Sequence, residues 1–258
     1  MDDAVRIVSL SRSAMYKAIA NAFCYPNEEW FAFLRERTYE ETLGAARSVL
    51  VEVYRDGAML EADVEAYRLA AEEVARAPLD KIQEEHFLVF GATISKECPP
   101  YETFYGCSSL QQNNELSKIS GFYRAFGLEI QNTAGERVDH VAAELEYMRF
   151  LCYKEAYGVE HRHEAEQIAI CVDAQKKFLR EHLGKWVHLF AKLLKQQAGN
   201  GYYGTLAELL GRFISCEIEY LDVTPEKLER MEITMQSSLE DSACLSCGSG
   251  DVSGEFPQ

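Results

Sequence analysis

The sequence has little basic charge, and this shortage limits the partners that it can bind. Only 26 Lys and Arg residues stand against 42 Asp and Glu residues, so the formal net charge at pH 7 is -16. A surface of that sign repels phosphate backbones and anionic lipid heads, whereas it attracts basic peptides. The charge balance therefore argues against nucleic acid and membrane surfaces as partners, and it favours a basic or arginine-bearing peptide.

The sequence also lacks a long apolar run and the features of a secretory signal. No segment approaches the roughly 20 apolar residues that span a bilayer. Residues 1–6 are acidic at the start and have neither the basic nor the apolar region of a signal. The eight cysteines are scattered along the chain, a pattern that suits free thiols in a reducing compartment. We therefore expect a cytoplasmic protein that is not exported.

The common motifs of enzymes are missing or incomplete. The chain has no Gly-rich phosphate loop, no dinucleotide fingerprint and no Gly-x-Ser-x-Gly elbow. Glu160 and His163 form a single Glu-x-x-His, whereas a di-iron bundle needs two such pairs and two further glutamates. Cys244 and Cys247 have zinc or redox spacing, but a closed zinc site needs four ligands. The sequence predicts no cofactor and no catalytic centre, and a helical metal-dependent oxidoreductase that uses these four residues is the alternative from the enzyme class.

Apolar residues recur at helical spacing along most of the chain, and no long stretch alternates as a half-buried strand would. The first apolar stripe stops near Pro26, and a later helix should end at Gly127. Thr38 and Glu41 have the spacing of a capping box that opens another helix. The pattern predicts an all-α protein, a single compact bundle of about ten helices over residues 1–235.

The character of the chain changes after this helical region. Residues 224–233 predict a short helix with Pro225 in its first turn. Residues 236–258 are rich in Ser, Gly and acidic side chains and contain the Cys244 and Cys247 pair. This composition predicts a flexible, acidic C-terminal tail.

The loop at residues 91–106, GATISKECPPYETFYG, is long for a connection between helices. Pro99 and Pro100 exclude a helix there and stiffen the chain. Tyr101, Phe104 and Tyr105 supply aromatic area that a solvated loop does not need. The sequence leaves two interpretations open: the aromatic side chains form a recognition surface, or they cap the hydrophobic core.

A second candidate segment lies where a loop passes into a helix, at Arg137, Asp139 and His140. Asp139 is the expected N-cap, because a carboxylate is favoured at the N-terminus of a helix, and capping alone would account for it. His140 and Glu144 should lie one turn apart on the same face. A histidine in the first turn gains nothing from the helix dipole, so His140 suggests a separate role.

Over nearly its whole length the sequence resembles the TorD/DmsD-like cytoplasmic chaperones, which are related to the nitrate reductase delta subunit. The family serves molybdopterin enzymes of the dimethyl sulfoxide reductase family. Three blocks in the family's order carry the resemblance: EEHFLVFGATISKECPPYETFYG, FYRAFGLEIQNTAGERVDHVAAELEYMRFLCYKEA and FLREHLGKWVHLFAKLLKQQAGNGYYGTLAELLGRFI. The resemblance implies a chaperone without catalysis, which binds the twin-arginine signal peptide or the immature catalytic subunit of a molybdoenzyme until its cofactor is inserted.

The resemblance also assigns candidate binding residues. Asp139 and His140 correspond to the family's signal-binding Asp-His, while Val138 replaces the usual proline. The loop motif corresponds to Pro99, Pro100, Tyr101 and Glu102. With the residues of the two segments taken together, carboxylates of Asp139, Glu102 and Glu144 would meet the arginines, and Tyr101 or Phe104 would take cation and apolar contacts.

Two further expectations concern assembly. A monomer and a helix-swapped dimer are both compatible with the sequence. The protein could also be a permanently bound scaffold subunit of a redox complex, which would differ from a chaperone in its fixed stoichiometry with the partner.

Overall fold

A computed structural model shows a helical bundle and describes residues 2–91, 97–128 and 137–228. Within these residues there are ten α-helices, one 3-10 turn and no strand, so the predicted all-α fold is confirmed. The helices are α1 (Asp2–Ala22), α2 (Glu28–Leu34), α3 (Arg37–Val53), α4 (Gly57–Arg76), α5 (Leu79–Phe90), α6 (Ser109–Ala125), α7 (Val141–Glu160), α8 (Ala165–Glu181), α9 (Leu183–Ala198) and α10 (Tyr202–Tyr220). The 3-10 turn, Glu102–Phe104, lies in the Pro-Pro loop.

The bundle is organised around two long helix pairs. Helix α1 packs along α7 and also contacts α3, while α10 packs along α9 and α4. The shared core is rich in large aromatic side chains that are fully buried, among them Tyr16, Trp186, Phe190, Tyr203 and Phe213. None of the helices in the described part of the chain is long and apolar enough to cross a bilayer.

A buried ionic network joins four helices at the centre of the bundle. The guanidinium of Arg12 on α1 donates to both carboxylate oxygens of Glu217 on α10, from Nε and from Nη2, at 2.7 Å each. Arg12 Nη2 also donates to Gln175 on α8 at 2.7 Å, and Nη1 lies 3.5 Å from Glu155 on α7. Because Arg12 and Glu217 are wholly buried, the network holds α1, α7, α8 and α10 in one arrangement.

The structure confirms some predicted helix ends and corrects others. Helix α6 ends as predicted, since Gly127 takes the left-handed conformation with φ of 71°. The capping box at Thr38 is wrong: α3 begins at Arg37, and Tyr39 N already donates to Glu36 O at 3.1 Å. Thr38 therefore lies inside the first helical turn and not before it.

The short helix predicted at Pro225 is also absent where the structure describes it. Residues 223–228 are irregular, because Glu226 N donates to the carbonyl of Arg180 at 2.8 Å and ties the segment to the end of α8. The rest of that prediction and the whole predicted tail, with Cys244 and Cys247, lie outside the described residues. Within the described residues, no disulfide joins any two of the six cysteines.

Candidate functional site

The Pro-Pro loop and the entrance of α7 meet directly, as the two candidate segments of the sequence suggested. Tyr101 and His140 form an antiparallel bridge. Val141 N donates to Pro100 O, and Glu102 N donates to Asp139 O, both at 2.9 Å. The two segments therefore form one structural unit in which each fixes the backbone of the other.

Asp139 does not cap α7, so that prediction is wrong. His140 is the N-cap, and its Nδ1 accepts a hydrogen bond from Ala142 N at 3.2 Å. The buried carboxylate of Asp139 instead accepts from the Thr103 backbone N at 3.2 Å and from its hydroxyl at 2.7 Å. Arg137 Nε and Nη2 each donate to Asp139 at 2.9 Å, so this carboxylate already binds a guanidinium of its own chain.

The other two candidate carboxylates are buried as well. Glu102 faces inward, where His182 Nδ1 lies 3.0 Å from Oε2 and Lys185 Nζ lies 3.7 Å from Oε1. Glu144 accepts from Trp186 Nε1 at 3.0 Å. Burial raises the pKa of Glu144 well above its ordinary value, and the charge of Glu102 raises it further.

The aromatic residues of the loop divide between core and surface. Phe104 and Tyr105 are buried, and Tyr105 stacks on Trp186 at 5.2 Å between ring centroids while its hydroxyl donates to Pro99 O at 2.8 Å. These two residues therefore cap the core, the second of the two open interpretations. Tyr101 is only partly buried, and the guanidinium of Arg137 lies 5.0 Å from its ring centroid.

A surface groove runs beside Tyr101 and His140, and its walls near α1 and α5 were not predicted from the sequence. We call it the aromatic groove; its volume is about 410 Å³. Tyr25 and Phe87 are more than half exposed, at 56% and 57% of their surfaces. The lining residues come from the end of α1, from α5, from the Pro-Pro loop and from the entrance of α7: Phe23, Tyr25, Gln83, His86, Phe87, Phe90, Gly91, Pro100, Tyr101 and His140. The sequence signal that could have indicated it is the run of four apolar residues from Phe87 to Phe90, because one helix face cannot bury them all. In the structure Phe87 and Leu88 are exposed, and Val89 and Phe90 are buried.

The aromatic groove carries no net charge at neutral pH. Burial lowers the pKa of His86 to about 4, and it lowers the pKa of His140 to about 4 against the opposing effect of Asp139. Both imidazoles are therefore neutral at pH 7. Two neutral imidazoles among phenyl and phenol rings make a surface for apolar chain segments.

These low pKa values predict a loss of stability in acid. Between pH 6.5 and 4 the unfolded chain protonates His140 while the folded chain does not, so the free energy of unfolding falls as the pH is lowered. His140→Asn retains a capping side chain that does not titrate. Urea unfolding at pH 7 and pH 5 should therefore show a smaller pH difference for His140→Asn than for the wild type, with the exposed His161→Asn as control. Equal pH differences for all three proteins would contradict this assignment.

Exposed carboxylates lie on α5 next to the aromatic groove. Asp80, Glu84 and Leu88 follow one another at helical spacing, and Phe87 lies beside them. Asp80 and Glu84 make no ion pair with any residue that the structure describes. An acidic stretch of α5 therefore leads directly into an exposed apolar one.

The metal pair of the alternative hypothesis lies elsewhere. His163 contacts the ring of Tyr157 near the end of α7, at 5.7 Å between centroids. Glu160 and His163 belong to no group of three metal-ligating side chains among residues 2–91, 97–128 and 137–228. The described chain thus gives that pair no further ligand.

The described residues form an all-helical protein in which an open aromatic groove lies beside a cluster of buried polar side chains. Residues 56–192 match the family model of the nitrate reductase delta subunit, which is more than half of the chain. The chain belongs to this family. The match includes the Pro-Pro loop, the entrance of α7 and the His182 to Trp186 segment, so the resemblance seen in the sequence is confirmed.

Several chaperones are similar to this chain. The perchlorate reductase assembly chaperone protein of Dechloromonas aromatica is 26% identical over 220 residues, which are 82% of this chain and 90% of that protein. The chaperone protein TorD of Vibrio cholerae is 27% identical over 123 residues, 48% of this chain and 54% of its own. The selenate reductase assembly chaperone protein of Thauera selenatis is 28% identical over 105 residues, which are 41% of this chain and 52% of that protein.

Proposed function

We propose that this protein is an assembly chaperone for the catalytic subunit of a molybdopterin oxidoreductase, here called the client. It holds the immature client in the cytoplasm until the cofactor has been inserted. The names of its relatives support this role, because they describe assembly chaperones of perchlorate, chlorate and selenate reductases. The observation that carries the proposal is the aromatic groove, which offers a client segment an open apolar surface.

The groove suits the apolar part of a client signal peptide. Tyr25 and Phe87 expose large rings, and rigid aromatic side chains provide much contact area at a low cost in conformational entropy. Tyr101 is partly exposed beside the groove, and the buried His140 also lines it. On this proposal Tyr101 contacts the ligand, and the buried candidates support the Pro-Pro loop behind it.

The basic part of the signal requires exposed carboxylates. Asp139 and Glu102 are buried beside Arg137 and Lys185, so a second guanidinium would have to displace a cation of the same chain. Asp80 and Glu84 are exposed and lie about two turns and one turn, respectively, before the apolar end of α5. We therefore assign the arginines of the signal to the acidic turns of α5 and its apolar stretch to the groove.

Calorimetric titration with a synthetic signal peptide of the client tests the assignment. Phe87→Ser removes an exposed ring, so the fold should persist while the peptide affinity falls about 10-fold. Ile170→Ser on α8 is the matched control, since Ile170 is 59% exposed and outside the groove. Unchanged affinity in Phe87→Ser, or an equal loss in Ile170→Ser, would contradict the groove as the binding site.

A further inference from the structure

Three side chains with metal-ligating atoms come together behind the Pro-Pro loop. They are Glu102 on the 3-10 turn, Glu115 on α6 and His182 between α8 and α9, and their ligand atoms all lie within 4.8 Å of one another. Glu102 and His182 are buried, whereas Glu115 is partly exposed. Three separate elements thus direct a carboxylate, a second carboxylate and an imidazole to one place.

A further buried carboxyl group, that of Glu144, lies near this cluster. It is close enough to Glu102 for the charge of Glu102 to raise its pKa. Its Oε2 accepts from Trp186, but its buried Oε1 has no donor among the residues that the structure describes.

We propose that Glu102, Glu115 and His182 form a three-ligand binding site for a divalent transition-metal ion such as Zn²⁺. A nitrogen ligand together with carboxylate oxygens suits Zn²⁺ and Mn²⁺ better than Ca²⁺, which prefers oxygen alone. In a tetrahedral site zinc lies about 2.0–2.2 Å from such ligands, so the ligand atoms are about 3.4 Å from one another. The present spread of 4.8 Å closes with side-chain shifts of about 1 Å.

Two lysines compete with the metal for the same carboxylates. Lys118 Nζ lies 2.7 Å from Glu115 Oε1, and Lys185 Nζ lies 3.7 Å from Glu102 Oε1. The Lys118 side chain is 54% exposed and can swing into solvent when a metal ion enters, whereas that of Lys185 is 14% exposed. The site therefore holds ammonium groups without metal, and removing one of them should strengthen metal binding.

A metal ion at this site would affect the aromatic groove, because one of its ligands is next to a residue that lines the groove. Glu102 follows Tyr101, whose ring lines the aromatic groove. A metal ion at Glu102 would fasten the Pro-Pro loop to α6 and α9 from behind. Metal binding is independent of the chaperone proposal, because it requires neither the client nor an open groove.

The test uses the full-length chain with Cys244→Ser and Cys247→Ser, so that the tail thiols bind no metal. After treatment with a chelator, Zn²⁺ is added, the stoichiometry is measured by plasma mass spectrometry and the affinity by calorimetry. We expect one Zn²⁺ per chain, at least a 10-fold weaker affinity in Glu115→Gln and a several-fold stronger one in Lys185→Met. Glu115 is chosen because it is partly exposed on α6, so its replacement leaves the core intact.

His163→Ala is the control, since His163 belongs to the Glu-x-x-His pair outside the cluster. Unchanged affinity in this variant supports the proposed ligands. The proposal is overturned if Zn²⁺ fails to bind at submillimolar concentration, if Glu115→Gln binds as tightly as the parent, or if His163→Ala abolishes binding.

Discussion

Replacing Arg12 by alanine should lower the free energy of unfolding by about 3–5 kcal/mol, because it leaves a buried charge without its partner. In the folded protein the guanidinium makes three hydrogen bonds of 2.7 Å, two to Glu217 and one to Gln175. Its loss leaves the wholly buried Glu217 without a counter-ion. Urea unfolding of the purified variant measures the change.

Arg6→Ala on the same helix is the control for Arg12. Arg6 is partly exposed and, among the described residues, pairs with the exposed Asp3 at 3.5 Å, so its loss should cost less than about 1 kcal/mol. The double variant Arg12→Met, Glu217→Met removes both charges and should be more stable than Arg12→Ala. Equal stabilities of Arg12→Ala and Arg6→Ala would show that the network contributes little to the fold.

Asp139→Ala should also destabilise the protein, by about 3 kcal/mol, although the residue lies in the segment assigned to ligand binding. The substitution leaves the Thr103 N–H and the Arg137 guanidinium without the carboxylate that accepts from both. We expect a lower thermal unfolding temperature together with weaker binding of the signal peptide, since the Pro-Pro loop loses its link to α7.

The control for Asp139→Ala is Asp173→Ala, which removes an exposed carboxylate on α8 and should leave the unfolding temperature unchanged. Asp139→Asn retains one acceptor oxygen and should lie between the wild type and Asp139→Ala. If Asp139→Ala loses peptide affinity at an unchanged unfolding temperature, Asp139 contacts the ligand directly and the structural role assigned here is wrong.

The helices could be predicted from the sequence because helical periodicity and terminal glycines are local signals. The end of α6 at Gly127 depends on the conformation of one residue. The cap of α7 depends on distant groups: Thr103 attracts the Asp139 carboxylate, and the cap passes to His140. Local preference alone therefore placed the N-cap one residue too early.

The sequence predicted which two segments form the site, but it did not predict which of their side chains point into the core. Glu102 turns inward because His182 lies there, 80 residues along the chain, and Glu144 turns toward Trp186, 42 residues along the chain. Such long-range partners are invisible to spacing arguments. The groove is likewise built from segments between residues 23 and 140, and no single one of them reveals a concave surface.

The motif residues and the groove residues thus have different tasks. Asp139, Glu102 and Glu144 are buried and hold the loop, α7 and α9 together. Tyr25, Phe87 and Tyr101 present apolar surface along the edge of that unit. Substitutions in the first set should act on stability and, through it, on binding, whereas substitutions in the second set should act on binding alone.

Co-purification from cells that express the client tests the central claim most directly. Tagged wild type, the groove variant Tyr25→Ser, Phe87→Ser and the control Ile170→Ser are captured, and the bound proteins are identified and quantified by mass spectrometry. We predict that the wild type and the control retain the immature catalytic subunit with its signal peptide, and that the folded groove variant loses it. Recovery of no catalytic subunit with the wild type would contradict the chaperone function, and equal recovery with all three would contradict the groove as its site.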